Sequence, residues 1–283
     1  MIDLAGPAVS DDAIVVTPGR GEIAVVRSGA RSVVCRAYAT SPLRLLTPRN
    51  HGLAAWIYTS SYGGGLVDGD RLAVRINVGE GAAAYVSTQA SSKVYRSPHG
   101  TSSETDGRIA SNGLLVLAPD PVVCYAGARY RQTQRFELEE SASLVALDWM
   151  SSGRRAFGER WAFDEYSASL TVRVAGRLIV QDAVVLRKED GDLADRMRRF
   201  EVLAVAVVIG HRLMEATAAI VATAREIPVQ LRPDLLVAAT PLDGLGCVLR
   251  VAGTSTEAVG RTIRAYLGFV PTLLGDDPWA RKW

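Results

Sequence analysis

Between residues 71 and 78 the chain alternates strictly, with Leu72, Val74, Ile76 and Val78 apolar and Arg71, Ala73, Arg75 and Asn77 set between them. Side chains of an extended strand point to opposite faces in turn, so this pattern demands a sheet with one face buried. Similar short runs recur at residues 23–26, 32–38, 84–87, 114–117, 129–138, 144–147, 170–174 and 178–186. Turn-forming residues separate them: Gly79-Glu80-Gly81, Asp106-Gly107, Asn112-Gly113, Ala118-Pro119-Asp120-Pro121 and Ala175-Gly176-Arg177. A succession of strands without intervening helices predicts a mainly β fold of layered antiparallel sheets rather than a parallel α/β core.

Past an acidic, arginine-rich seam at residues 188–199 the pattern changes. A β-branched run at 200–209 stops at Gly210, and residues 211–225 place Leu213, Ala216, Ile220 and Ala224 at helical spacing. Strand-like runs follow at 229–238 and 246–251, and Thr254 or Ser255 can cap a last helix through Glu257, Ile263 and Tyr266. The prediction is a C-terminal β-α-β-β-α region with two helices over 191–283, packed on an antiparallel β domain over 1–190, with one continuous domain left open. Tyr266 and Phe269 suit a partner surface and the cover of a sheet equally well.

Charge excludes several function classes. The 32 basic and 30 acidic residues are spread along the chain for a net +2, so no basic block marks a nucleic-acid or membrane partner. The longest apolar run, 202–209, is too short to cross a bilayer, and residues 1–20 carry neither the cationic start nor the apolar core of a secretory signal. Cys35, Cys124 and Cys247 lie far apart in apolar strand-like surroundings, which predicts buried thiols in a reducing, cytoplasmic compartment. His51, His99 and His211 are too scattered for a stable nickel or zinc site; His99 reads as an exposed loop residue and His211 as a helix start. No Gly-x-Ser-x-Gly elbow occurs, and the glycine run at 63–70 lacks the Gly-Lys-Ser/Thr ending of a phosphate loop.

Two segments carry distinctive chemistry. Gly63-Gly64-Gly65-Leu66-Val67-Asp68-Gly69-Asp70 is a shaped, acidic turn whose glycines allow backbone conformations closed to other residues. Thr88-Gln89-Ala90-Ser91-Ser92-Lys93-Val94-Tyr95-Arg96-Ser97 sets hydroxyls, an amide and two cations in a run with little apolar content. Asp68, Asp70, Asp148 and Glu159 could supply paired carboxylates to a β-sandwich carbohydrate hydrolase or lyase, the alternative function. The plainer reading makes Asp68 a turn-former and Asp70 the anchor of the next strand. Trp56, Trp149 and Trp161 sit in strand-like runs and read as core.

With Ser41-Pro42-Leu43-Arg44-Leu45, residues 121–129, Gly153-Arg154-Arg155-Ala156-Phe157-Gly158-Glu159-Arg160 and the ending Pro278-Trp279-Ala280-Arg281-Lys282-Trp283, these segments resemble the urease accessory protein family UreD, also called UreH. The departures are Ser91-Ser92 where the family often has Ala-Thr, Asp68 where glycine is common, and a tail without the usual Pro-Arg pair before its tryptophan. The resemblance implies a non-enzymatic urease maturation factor of mostly β fold with C-terminal helices. It implies assembly with UreF and the GTPase UreG, docking on apo-urease, and a water-filled passage for nickel, with Ni2+ held only in transit and no permanent cofactor. A conduit must release its ion, so scattered oxygen donors serve it better than a His/Cys cage. Asp70, Asp148 and Glu159 with Thr88 and Ser92 are therefore expected to line or gate the passage. Gly63, Gly64, Gly65, Asp68, Gly69, Gln89, Lys93, Tyr95, Arg96, Gly153, Arg154 and Gly158 belong to the matching motifs and are expected to have structural roles. Against this stands a purely structural role, with Asp70 and Glu159 satisfying backbone donors and pairing with arginines such as Arg154.

Overall fold

The alternating run at 71–78 does form a strand, and its inward residues Ile76 and Val78 are almost completely buried. The computed structural model describes residues 19–49 and 52–280. The reading of residues 1–18, His51 and the final Arg281-Lys282-Trp283 fall outside the described residues. In chain order the strands are β1 Gly19–Ser28, β2 Arg31–Ala39, β3 Leu43–Leu46, β4 Ala55–Ser61, β5 Arg71–Val78, β6 Ala83–Thr88, β7 Ser92–Val94, β8 Thr101–Ile109 and β9 Leu114–Leu117. They continue with β10 Val122–Cys124, β11 Arg129–Leu138, β12 Ser143–Ser151, β13 Glu165–Val174, β14 Arg177–Arg187, β15 Val202–Gly210, β16 Leu235–Pro241 and β17 Gly246–Gly253. The α-helices are α1 Leu193–Met197, α2 Met214–Arg225, α3 Thr256–Tyr266 and α4 Val270–Leu274. No helix among the described residues is long and apolar enough to cross a membrane.

The mainly β class agrees with the sequence, but the antiparallel pairing does not hold through the middle of the fold. A seven-stranded outer sheet runs β14-β13-β11-β8-β5-β1-β2, and a ten-stranded central sheet contains the path β16-β17-β15-β12-β9-β6-β4-β3 with β7 and β10 attached beside β12. From β1 through β5, β8 and β11 to β13, every neighbouring pair in the outer sheet is parallel. The same is true from β4 through β6 and β9 to β12 in the central sheet. Parallel neighbours need a long crossover, usually a helix. Here the crossover is a strand of the other sheet: after β5 the chain passes Gly79-Glu80-Gly81, lays down β6 in the central sheet, and returns to the outer sheet as β8. Gly79-Glu80-Gly81 and Asn112-Gly113 are arches between the two sheets, whereas residues 118–121 link two strands of the central sheet. Ala175-Gly176 is a true hairpin, with both residues at positive φ and Val174 paired with Arg177.

Three apolar clusters hold the layers. Ile23, Ile57, Ile76, Phe136, Leu144 and Val172 belong to the cluster between the sheets. Trp56, Tyr85, Val145, Leu249, Ile220 and Ile263 belong to a second cluster, between the central sheet and the C-terminal helices. The central sheet is thus buried on both faces, which explains why β6, β9 and β12 read as nearly continuous apolar runs. A third cluster, including Leu66, Val94, Tyr130, Phe163 and Tyr166, closes one end. The exposed face of the outer sheet carries cross-strand charge pairs such as Arg135 with Asp106 and Glu104.

The C-terminal order β15, α2, β16, β17, α3 follows the predicted pattern, with Ser255 capping α3 through the Ala258 N–H, and the short α1 and α4 are additional. Tyr266 and Phe269 pack against the second cluster and so cover the sheet. The expected strand from residue 229 begins only at Leu235, and Val229 and Leu231 stand wholly exposed. Pro228 and Pro233 flank them and have no N–H for a ladder. Cys124 and Cys247 are buried as expected, whereas Cys35 is exposed on edge strand β2. Trp56 is core, and Trp149 is half-buried with its Nε1–H donating to the Pro119 carbonyl at 2.8 Å. Trp161 is buried but lies in the connection between β12 and β13, not in a strand.

Asp106-Gly107, read as a turn, lies inside β8. The Phe136 ring from β11 covers Gly107, and a Cβ there would meet Phe136 Cδ1 at 2.5 Å. Gly107→Val is therefore expected to destabilise the fold by about 1–3 kcal/mol through overpacking, read as a lower urea midpoint at unchanged slope.

Candidate functional site

The segments singled out in the sequence meet at one end of the sheets. Leu66 N–H donates to the Lys93 carbonyl and Tyr95 N–H to the Leu66 carbonyl, at 2.8 and 2.9 Å, which ties the glycine-rich turn to β7. Ser92 N–H donates to the Pro121 carbonyl and Tyr125 N–H to the Val94 carbonyl, which ties β7 to the segment at 121–129. The stretch 153–160 joins through Glu159, whose Oε2 accepts from the Ala126 N–H at 3.2 Å. Gly65 is required by close approach, since a Cβ would lie 2.6 Å from Tyr95 Cε2 and 2.8 Å from the Lys93 carbonyl. Gly63, Gly64 and Gly69 take positive φ in the same turn, as Gly153 and Gly158 do in the other loop. The Arg96 stem crosses Gly127, and Gln89 N–H donates to the Thr59 carbonyl.

Beside this junction a cavity of about 290 Å3 lies between the sheets. Its lining includes Thr88, Ser92, Gln132, Gln134, Asp148 and, toward the glycine-rich turn, Gly65. Lys93 and Gln89 also border it. The apolar inter-sheet cluster ends at Leu144 and Ala146 of β12, and two residues on, at the next inward position, the strand presents Asp148. Across the gap a donor chain approaches that carboxylate. Ser103 Oγ and Tyr130 Oη are 2.6 Å apart, and Tyr130 Oη–H donates to Gln132 Oε1 at 3.1 Å. The Gln132 side chain in turn hydrogen-bonds Asp148. Burial pushes the Tyr130 phenol above its ordinary range, so it remains a donor.

Burial also raises the Asp148 carboxyl to about 6, with Asp182 adding repulsion and the Gln132 hydrogen bond opposing both. Asp148 keeps partial accessibility because it faces the cavity. Gln134, itself buried, directs an Oε1 with no hydrogen-bond partner at this lining. A buried acceptor left bare costs free energy. Asp148 with neutral amide and hydroxyl oxygens is a weak, hard-donor setting, and among the described residues no group of three or more His, Cys, Asp or Glu could hold a metal.

The other expected passage carboxylates are elsewhere. Asp70 Oδ2 accepts the Val67 N–H at 2.9 Å, closing its own turn. Glu159 is gripped by both Nε and Nη2 of Arg154, whose guanidinium stacks 4.0 Å over the Tyr125 ring. Neither Asp70 nor Glu159 lines the cavity. Asp68 accepts from the His99 N–H at 2.9 Å and faces its Nδ1 at 2.6 Å, and His99 is an exposed loop residue as expected. Hydrogen bonding from His99 lowers the Asp68 carboxyl. The four carboxylates thus have four different sets of partners. Sequence reasoning missed Gln132, Gln134 and Tyr130; their only signal is that polar residues occupy the buried positions of β11, whose other face carries arginines. A second hollow, of about 420 Å3, lies beside Ser152 and the start of α3, but its buried Glu201 is already held by Arg160 and Ser152.

The model of the family described as UreD urease accessory protein matches residues 17–283. The chain belongs to that family. It is 49% identical over 94% of its length to a protein named urease accessory protein UreD from Sorangium cellulosum (strain So ce56), covering 84% of that relative. It is 41% identical to one of the same name from Anaeromyxobacter sp. (strain Fw109-5), over 93% of this chain and 89% of the relative. Urease accessory protein D of Arabidopsis thaliana is 31% identical over 92% of this chain and 99% of its own length. Family membership makes the chain an accessory protein in urease maturation, and the geometry above is that of a UreD protein.

Because the Asp148 carboxyl stands higher in the folded chain than its ordinary value of 3.8, the folded state binds this proton more tightly. Its contribution to stability is present at low pH and is lost as pH rises from about 4 to about 6. Asp148→Asn is expected to be more stable than the natural chain above that window by roughly 2–3 kcal/mol at most, and to lack that part of the pH dependence in urea titrations from pH 4 to 7.

Proposed function

We propose that this chain assembles with UreF-like and UreG-like proteins on apo-urease and passes Ni2+ to the enzyme through the cavity between its sheets. The observation that carries the reading is the half-buried Asp148 on the same cavity lining as the unpartnered Gln134 Oε1, with hydroxyls and amides around it. A single carboxylate with neutral oxygens attracts a divalent ion without caging it, and each water the ion sheds is replaced by a side-chain oxygen. Thr88 helps hold the wall: its Oγ1 accepts the Asp120 N–H at 2.8 Å, which fixes the connection after β9 against the end of β6. Ser92 carries a hydroxyl at the border beside Lys93. On this reading the chain turns over no substrate, holds nickel only in transit, and works in the cytoplasm with its partners. Asp70 and Glu159 serve the passage indirectly, by holding the loops at its border.

The test is nickel content. Urease matured with Asp148→Asn is expected to contain several-fold less nickel by atomic absorption, while the variant still co-purifies with the UreF-like protein and urease. Full nickel loading would remove Asp148 from the route. Glu159→Gln, which weakens the Arg154 clamp outside the cavity, is expected to lower the melting temperature and leave nickel loading per assembled complex unchanged.

A further inference from the structure

Beyond Asp148, where β14 of the outer sheet faces β17 of the central sheet, stands a second inward carboxylate. Asp182 lies on β14 between Val180 and Val184, which pack into the inter-sheet and end clusters, so Asp182 points inward with them. Its side chain is only 18% exposed. Facing it from the central sheet is Arg250, whose Nη2 reaches Asp182 Oδ1 at 2.5 Å. Asp148, Val205 and Arg250 are in register across β12, β15 and β17 and so share one face. At about 4.8 Å per strand, the Arg250 backbone is roughly 10 Å from that of Asp148. Without Arg250, an ion at Asp148 would find a second carboxylate one short step away.

We propose that Arg250 is an internal competitor for the transported cation: by occupying Asp182, which lies outside the cavity lining, it withholds that carboxylate and keeps Asp148 a single-carboxylate site from which the ion leaves. The proposal rests on the passage reading above. A guanidinium is always charged, directional and tethered, so it returns to Asp182 as soon as an ion leaves. Its side chain is 48% exposed, which gives it room to swing toward solvent when a cation arrives. Two carboxylates acting together on a divalent ion would bind it more tightly than one, which a carrier has to avoid.

The experiment loads the purified full chain with Ni2+, removes the excess, and follows release to a chromogenic chelator. Arg250→Gln is expected to retain a second, slowly released class of Ni2+, leaving at least about tenfold slower than from the natural chain. Asp182→Asn combined with Arg250→Gln is expected to lose that class, and Arg250→Lys to restore fast release. An ion pair that merely staples the sheet edges would lower the melting temperature alike in Arg250→Gln and Asp182→Asn, with no change in retention, and that result overturns the proposal. Asp148→Asn separates the two readings. If it abolishes Ni2+ binding while Arg250→Gln behaves as the natural chain, only the Arg250 role fails; if it binds Ni2+ unchanged, the passage itself fails.

Discussion

From β4 to β13 the chain crosses back and forth between two facing sheets, so the inward side chains of both must fill a single shared gap. Where those side chains are Ile57, Ile76, Phe136 and Leu144 the gap closes into solid core. Where the register brings Gln132, Gln134 and Asp148 inward it cannot close, because amide and carboxylate oxygens need partners that an apolar wall does not offer. The cavity is therefore a consequence of inward polar residues meeting in register, not of a hole cut through a finished core.

The end cluster keeps this opening from spreading. Tyr130, Tyr166 and Phe163 pack beyond the polar layer, with ring centroids 6.1 and 6.4 Å apart in succession, and seal the sandwich on its far side. Tyr130 does two jobs, one as an apolar wall and one as the donor that orients Gln132 toward Asp148. The bordering loops are held by contacts that allow little substitution: Gly65 under Tyr95, Gly127 under Arg96, and Glu159 between Arg154 and the Ala126 N–H. These are the segments that carry the family likeness. Their clustering ties the motifs to the shape of the cavity border rather than to a set of reacting groups.

The central sheet separates two tasks. Its face toward the outer sheet carries both the core and the polar layer, and its other face is covered by α2, α3 and α4 through Ile220, Ile263 and Leu274. Burial on both faces makes it a stiff wall, since each strand is tied to its neighbours by a ladder and to both layers by packing.

The mainly β class and the C-terminal order of elements were legible because alternation and helical spacing are local properties. Asp148 and Thr88 were legible as polar residues next to strand-forming apolar runs. Pairing direction was not, since a residue alternates inward and outward in the same way whether its neighbour is parallel or antiparallel, and a short turn reads alike as a hairpin or as an arch to the facing sheet. Gly107 looked like a turn until Phe136, 29 residues on, was found lying over it. The fates of Asp70 and Glu159, turned to a backbone N–H and to Arg154, and the meeting of Gln132, Gln134 and Asp182 around Asp148 depend on which strands become neighbours. The amino-acid order set which faces are apolar and which residues carry oxygen donors; only the passage of strands between two sheets decided which of them share one cavity, because that depends on contacts between segments far apart in the chain.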